Sequence, residues 1–493
     1  MRRAILSIVT AFMVCGCATE QAPVPGVVGA PPRDLPRAAG AEAAHTGIPN
    51  DTFYASTGAW GQPFLDQWYL HRVGFLPKGS GRSAWDIETG EGRPVIVAVL
   101  DTGLDYYHPD LKRSSVWQNP KPNKKGEDPN GYENDFIGWN FVDQNNNPWD
   151  NDGHGTFVAG IIAATANNGQ GITGINWGAQ IMPLKILNVF AHGKVFDLAR
   201  ALVYAVDHGA KIVNLSLEGE RLNKTEQLAI DYAYQKGALI VVAGGNQGSE
   251  TNGRGPVGLN HVLGVAALDL NDKRAAFSNW GRHIKIAAPG VDILSLRARR
   301  TDFMLLTGAQ DYKPGESFVG PQNQFMRASG TSFAAPMVSA VASLIWAKYP
   351  NLTNVQVERM LLESADDVEV PGWDQFTGAG RLNAVAALKA DPNYFLTAKV
   401  HEVSVEQVGG KPVIQVSGTA VGSKLKRYEI QLGQGEQPTT WKTVATEQGK
   451  SVEDGALGVF SVKELTAKGT WTVRLVVADD RKTKEARGQL DVE

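Results

Sequence analysis

Cysteine is nearly absent from this 493-residue chain: only Cys15 and Cys17 occur. Everything beyond residue 17 therefore folds without a disulfide, and no thiolate cluster is available for a metal or for redox chemistry. Charge of one sign is equally scarce. Forty-eight Lys and Arg stand against 51 Asp and Glu, a formal net charge of -3. Such a balance gives no basis for binding nucleic acid or an anionic membrane surface. Nor does any stretch of 18 apolar residues occur, so no membrane-spanning helix is expected.

What is there begins at the N-terminus. Arg2 and Arg3 precede a largely apolar run, Ala4 to Val14 (AILSIVTAFMV), which is too short to span a bilayer and fits the hydrophobic region of an export signal. The following Val14-Cys15-Gly16-Cys17 resembles a bacterial lipobox. That resemblance implies cleavage after residue 16 and acylation of Cys17, leaving the exported protein lipid-anchored at the cell envelope. Ala18 lacks the Asp associated with inner-membrane retention, so the outer membrane or cell surface is favoured. Residues 17–49 are rich in Ala, Pro and Gly, without apolar periodicity, and read as a flexible tether.

From about residue 50 to 390 strand and helix signals alternate, which predicts an α/β domain built on a parallel sheet with helices on both faces. Val95–Leu100, Ile181–Leu187, Ile212–Leu217 and Ala238–Ala243 are apolar runs of the kind found in strands covered on both sides. Pro183 weakens the second of them. Leu198, Ala201, Leu202, Ala205 and Val206 have the spacing of a helix with one buried face, ended by Gly209. Asn223 and Glu226 resemble a capping box for the next helix. From 391 to 493 the pattern changes to short alternating segments between Gly-rich turns, which predicts a small antiparallel β-sandwich of immunoglobulin or fibronectin type.

Three segments carry chemistry. Asp101 ends the strand in VIVAVLDTGLDYYHPDL, the end at which parallel-sheet sites form. His154 in DNDGHGTFVAGIIAAT opens an apolar helix between two glycines. Ser332 in ASGTSFAAPMVSAVASLIWA opens another, with Pro336 expected in its first turn. A nucleophile, a base and an orienting carboxylate are the set that serine-based acyl transfer requires. Asn246, after two glycines in VVAGGNQG, is a candidate oxyanion donor.

These contexts, D-T-G, H-G-T-x-V-A-G and G-T-S-x-A-x-P in that order, strongly resemble the subtilisin-like serine proteases, or subtilases. The resemblance implies a serine endopeptidase acting on proteins or peptides. Asp101 would orient the base, His154 would be the base, Ser332 the nucleophile and Asn246 the oxyanion donor. Phe157 stands where His is common and Phe333 where Met is common. The resemblance also implies that an extended substrate adds as a strand between Ser216-Leu217-Glu218-Gly219 and Ala243-Gly244-Gly245. Glu218 stands where Gly is common, and a carboxylate there would favour basic side chains; Arg254 lies near the expected floor of the primary pocket. Asp110, Asn168 and Gln67 match a structural calcium site, and the acidic stretch Glu127–Asp135 matches a second calcium loop of some relatives. The rival reading is a catalytically inactive scaffold lipoprotein on the same fold. An esterase is disfavoured because the G-x-S-x-G elbow is missing and the order Asp, His, Ser differs.

Overall fold

The computed structural model describes residues 48–76, 81–122, 131–299, 301 and 317–492. The export signal, Cys17, nearly all of the tether and residues 127–130 of the acidic stretch lie outside the described residues.

After a short helix α1 (Trp68–Arg72), seven strands form one parallel sheet. They are β1 (Ile96–Asp101), β2 (Trp139–Asn140), β3 (Gln180–Lys185), β4 (Ile212–Leu215), β5 (Leu239–Ala243), β6 (Val262–Leu268) and β7 (Ile284–Pro289). Their spatial order is β2-β3-β1-β4-β5-β6-β7. The strands read as continuous apolar runs because both faces are covered. Val97, Val99, Val241 and Ala243 enter one core, shared with α2 (His154–Ala163) and α5 (Thr331–Lys348). Their neighbours Ala98, Leu100, Ile240 and Val242 enter the other, shared with α3 (Val195–Asp207) and α4 (Lys224–Gln235). The two-residue alternation of a strand thus feeds two cores from one sequence run.

The expected strands are all present, but β3 and β4 stop two residues short of the expected ends at Leu187 and Leu217. There the chain leaves the sheet to build loops. Pro183 is accommodated in β3 because its outer neighbour, β2, pairs only with Leu184 and Lys185. The periodic residues of α3 are buried as predicted, and Gly209 follows its end at φ 86°. The capping box of α4 is only half formed. Asn223 accepts from Thr225 N (2.8 Å), but Glu226 is turned inward and buried, where desolvation pushes its carboxyl up to about 7.

A second correction concerns Pro336. It stands in the second turn of α5, not the first. A proline there leaves the carbonyl four residues earlier, that of Ser332, without its helical donor. The Ser216 hydroxyl supplies one instead, donating to Ser332 O at 2.7 Å.

A small antiparallel sheet of β8 (Ile293–Leu296), β9 (Phe318–Val319) and β10 (Phe325–Ala328) packs beside α2, followed by α6 (Asn354–Glu363) and α7 (Ala384–Ala387). Seven further strands follow: β11 (Leu396–Val408), β12 (Lys411–Gly422), β13 (Arg427–Gln434), β14 (Lys442–Gln448), β15 (Val452–Ser461), β16 (Gly469–Ala478) and β17 (Thr483–Val492). They form two antiparallel sheets, β11-β12-β15 and β14-β13-β16-β17, around a separate core that includes Tyr428, Ile430 and Leu475. Lys484 pairs with Glu363 (2.7 Å), and Trp373 N donates to Glu485 O (3.2 Å), joining this region to the α/β region. Among the described residues no helix is long and apolar enough to cross a membrane.

Candidate active site

Asp101 is the last residue of β1, at the carboxyl edge of the sheet. Its Oδ1 accepts from Thr102 N (2.7 Å), which fixes the carboxylate. His154 is the first residue of α2 and donates from Nδ1 to Oδ1 (2.8 Å) and Oδ2 (3.0 Å) of Asp101. Both residues are about 1% exposed. The helix start can come this close to β1 because residue 155 is glycine: a β-carbon there would collide with the Gly103 carbonyl and press on the Asp101 side chain.

Burial alone would push the imidazole down. The Asp101 carboxylate, through charge and hydrogen bond, and behind it Asp152 and Asp150, outweigh burial, and the net effect holds His154 above its ordinary value. Asp152 is itself pushed up to about 8 by burial and by Asp150. A buried cation answers these carboxylates. Lys185 stands in register with Asp101 across β1 and β3, and its Nζ donates to the Thr102 carbonyl. Sequence reading passed over Lys185, although a single charge inside an apolar strand is the signal that could have found it.

Ser332 lies in the first turn of α5, where backbone N–H groups without helical partners favour negative charge. Its hydroxyl donates to Ser216 O (3.2 Å), reciprocating the bond from Ser216. The next residue, Phe333, packs its ring 5.6 Å from that of His154 and 4.3 Å from that of Phe157. The two expected aromatic departures are therefore in mutual contact beside the imidazole.

Asn246 follows β5. Its Oδ1 accepts from both Thr331 N and Thr331 Oγ1 at 2.9 Å, so the orientation of the amide is set and its NH₂ is turned the other way. Thr331 also holds the strand end, accepting from Gly245 N at 3.0 Å. Residue 331 was not singled out in the sequence, yet it positions both. A cleft beside these groups is lined by Leu187, Ser216, Leu217, Glu218, Ala243, Gly245, Asn246, Thr331 and Ser332. The two expected substrate-binding segments thus meet there. Gly219 is tied to Gly255 (N to O, 2.5 Å), next to Arg254.

A profile described as the subtilase family matches residues 92–380, well over half of the chain. The chain belongs to the subtilase family. This subtilase is 34% identical over 305 residues to the thermophilic serine proteinase of Bacillus sp. (strain AK1), covering 62% of this chain and 64% of that one. It is 29% identical to the cell wall-associated protease of Bacillus subtilis (strain 168), covering 79% of this chain and 44% of that one. It therefore spans less than two thirds of the length of either. Among solved structures, the protease of Pseudoalteromonas arctica PAMC 21717 superposes with a TM-score of 0.53 at 27% identity, over 69% of this chain and 98% of that one. This bears out the parallel-sheet fold expected from the strand runs.

The candidate metal residues divide. Asn168 Nδ2 donates to Asp110 Oδ1 (2.6 Å), so those two come together as expected. Gln67 is instead engaged with Tyr69 and Thr173, donating to Tyr69 OH (2.9 Å) and Thr173 O (2.9 Å) and accepting from Thr173 N (2.9 Å). The acid that joins the pair is Asp51, which accepts from Asn167 N (2.9 Å). Burial pushes Asp110 up to about 8 and Asp51 up to about 6, and the charge of Asp51 adds to the first shift. Of the acidic loop, Asp135 is buried and accepts from Tyr204 OH (2.6 Å).

Proposed function

We propose that this subtilase is a serine endopeptidase in which Ser332 attacks the peptide carbonyl. His154 takes the hydroxyl proton and returns it to the leaving amine. Asp101 holds the ring in the tautomer that leaves Nε2 to act as base, and stabilises the imidazolium that forms. The oxyanion is met by the Asn246 amide and the backbone N–H of Ser332 at the start of α5. The observation that carries this reading is the doubly contacted, fully buried Asp101–His154 pair, with Phe333, the residue after Ser332, packed at a tilt against the same imidazole. The named proteases among its relatives support the same class of reaction.

For Ser332 to react, its hydroxyl must donate to the imidazole in place of the Ser216 carbonyl. The bond it gives up is a long one at 3.2 Å, so the exchange costs little. A fluorophosphonate probe tests the assignment. It should label the folded wild type and not Ser332→Ala, and casein hydrolysis should fall about 10⁴-fold or more in that variant. Absence of label on folded wild-type protein, with no hydrolysis, would favour the scaffold reading.

The N-terminal motif supports export and acylation at Cys17, which would place the enzyme at the cell envelope, with the outer membrane or cell surface favoured; a cell wall-associated relative is in keeping with this. A calcium ion fits Asp110, Asn168 and Asp51. Two buried carboxylates whose charge is disfavoured by burial and proximity, beside a side-chain amide, supply hard oxygens of the kind such an ion takes. It would brace the loop at 166–172 and take no part in the chemistry.

A further inference from the structure

Glu218 deepens that reading by bearing on which substrates are cleaved. It belongs to the first wall of the cleft, Ser216 to Gly219, but its carboxylate reaches the second wall. Oε2 accepts from Asn246 N (3.4 Å), and Oε1 accepts from the Gln247 side-chain amide. Gln247 is in turn anchored: its Oε1 accepts from Asn279 Nδ2 (2.8 Å), and its backbone N–H donates to Asn279 Oδ1 (3.0 Å). Asn279 is fully buried and also donates to Gly244 O (3.1 Å). The glutamate is therefore clamped across the slot by a chain of amides rooted in the core.

The clamp fills space as well as bridging it. A β-carbon at Gly245 (φ 99°) would collide with Glu218 Oε2, so the carboxylate lies directly on the opposite wall's backbone. The free volume left in the cleft is about 10 Å³, room for about one water molecule. A leucine or phenylalanine side chain cannot enter without displacing the carboxylate. The partners of Glu218 are neutral amides; burial holds its carboxyl above the ordinary value, which these amides and Arg254 only partly offset. An incoming lysine would therefore meet a carboxylate already engaged by amides of the opposite wall.

We propose that Glu218 plugs the primary specificity slot, restricting the residue before the cleaved bond to small side chains such as alanine, serine and glycine. This rests on the peptidase reading above, and the test separates the two. Full-length enzyme is titrated with a fluorophosphonate, then assayed on peptides that differ only before the cleaved bond: Ala, Leu, Phe or Lys. Wild type should favour Ala over Leu and Phe by about tenfold or more in kcat/KM. Glu218→Gly should reduce or invert that ratio, whereas Glu218→Gln, which keeps the shape, should retain it. Gln247→Ala, which frees the clamp without touching the plug itself, should relax the ratio partway. A wild type that takes Phe as well as Ala, or a ratio unmoved by Glu218→Gly, overturns the plug while labelling leaves the enzyme assignment intact. A wild type led by Lys, with that lead lost in Glu218→Gln, also overturns it and makes the carboxylate a reader of charge. Absence of labelling overturns the peptidase reading and the plug with it.

Discussion

In the proposed mechanism the group whose protonation decides the rate is His154. Its partners hold it above the ordinary imidazole value of 6.5 despite complete burial. A general base must be neutral, so kcat/KM should climb with pH through an apparent pKa above 6.5, with an acid limb displaced to the alkaline side. Stability runs the other way. The charged pair contributes fully below the unfolded value near 6.5, and that contribution is lost as pH rises through the higher folded value. A pH–rate profile beside a pH series of denaturant midpoints would show opposite trends over one window. Asn246→Ala should cost about 2.7–4 kcal/mol in the barrier, a magnitude established in another subtilase, with KM little changed. Residues such as Asp101, His154, Ser332 and Asn246 were legible because each sits in a short, chemically unusual context. Lys185, Thr331 and Asp51 were not: their roles come from partners 83, 85 and 116 positions away in the chain, respectively.

Among the elements, α2 and β1 depend on one close approach. Gly155→Ala would set a β-carbon against the Gly103 carbonyl, which is backbone and cannot swing aside. The expected outcome is a loss of about 1–3 kcal/mol in stability, together with a larger loss of activity than stability explains, because α2 carries His154. Chemical denaturation and active-site titration on the same sample would separate the two. The strands were legible because burial on both faces writes itself as an apolar run. Their ends were less so, since Leu187 and Leu217 are apolar for the sake of a cleft and not of a sheet. Pro336 was misplaced by a turn for a similar reason. A proline reads as a helix start until a side chain, here Ser216, supplies the missing donor from another element.

The molecule as a whole combines a disulfide-free α/β region with an appended pair of antiparallel sheets. The change of residue pattern near 391 anticipated those sheets; how they attach, through Lys484–Glu363 and Trp373–Glu485, was invisible because each contact spans more than a hundred residues. If calcium braces the loop at 166–172, chelation should lower Tm, by mass action, without abolishing labelling of Ser332 in the cold; thermal scans with and without EDTA would check this. The aromatic pair beside the imidazole has one further consequence. Position 333, where the subtilase resemblance leads one to expect a thioether, holds a ring of carbon and hydrogen packed on a second such ring. Peroxide converts a methionine in that place to a bulkier polar sulfoxide. Here it would find no sulfur in the residue after Ser332, so a peptidase exported as proposed would not lose its reactive centre by oxidation at that position.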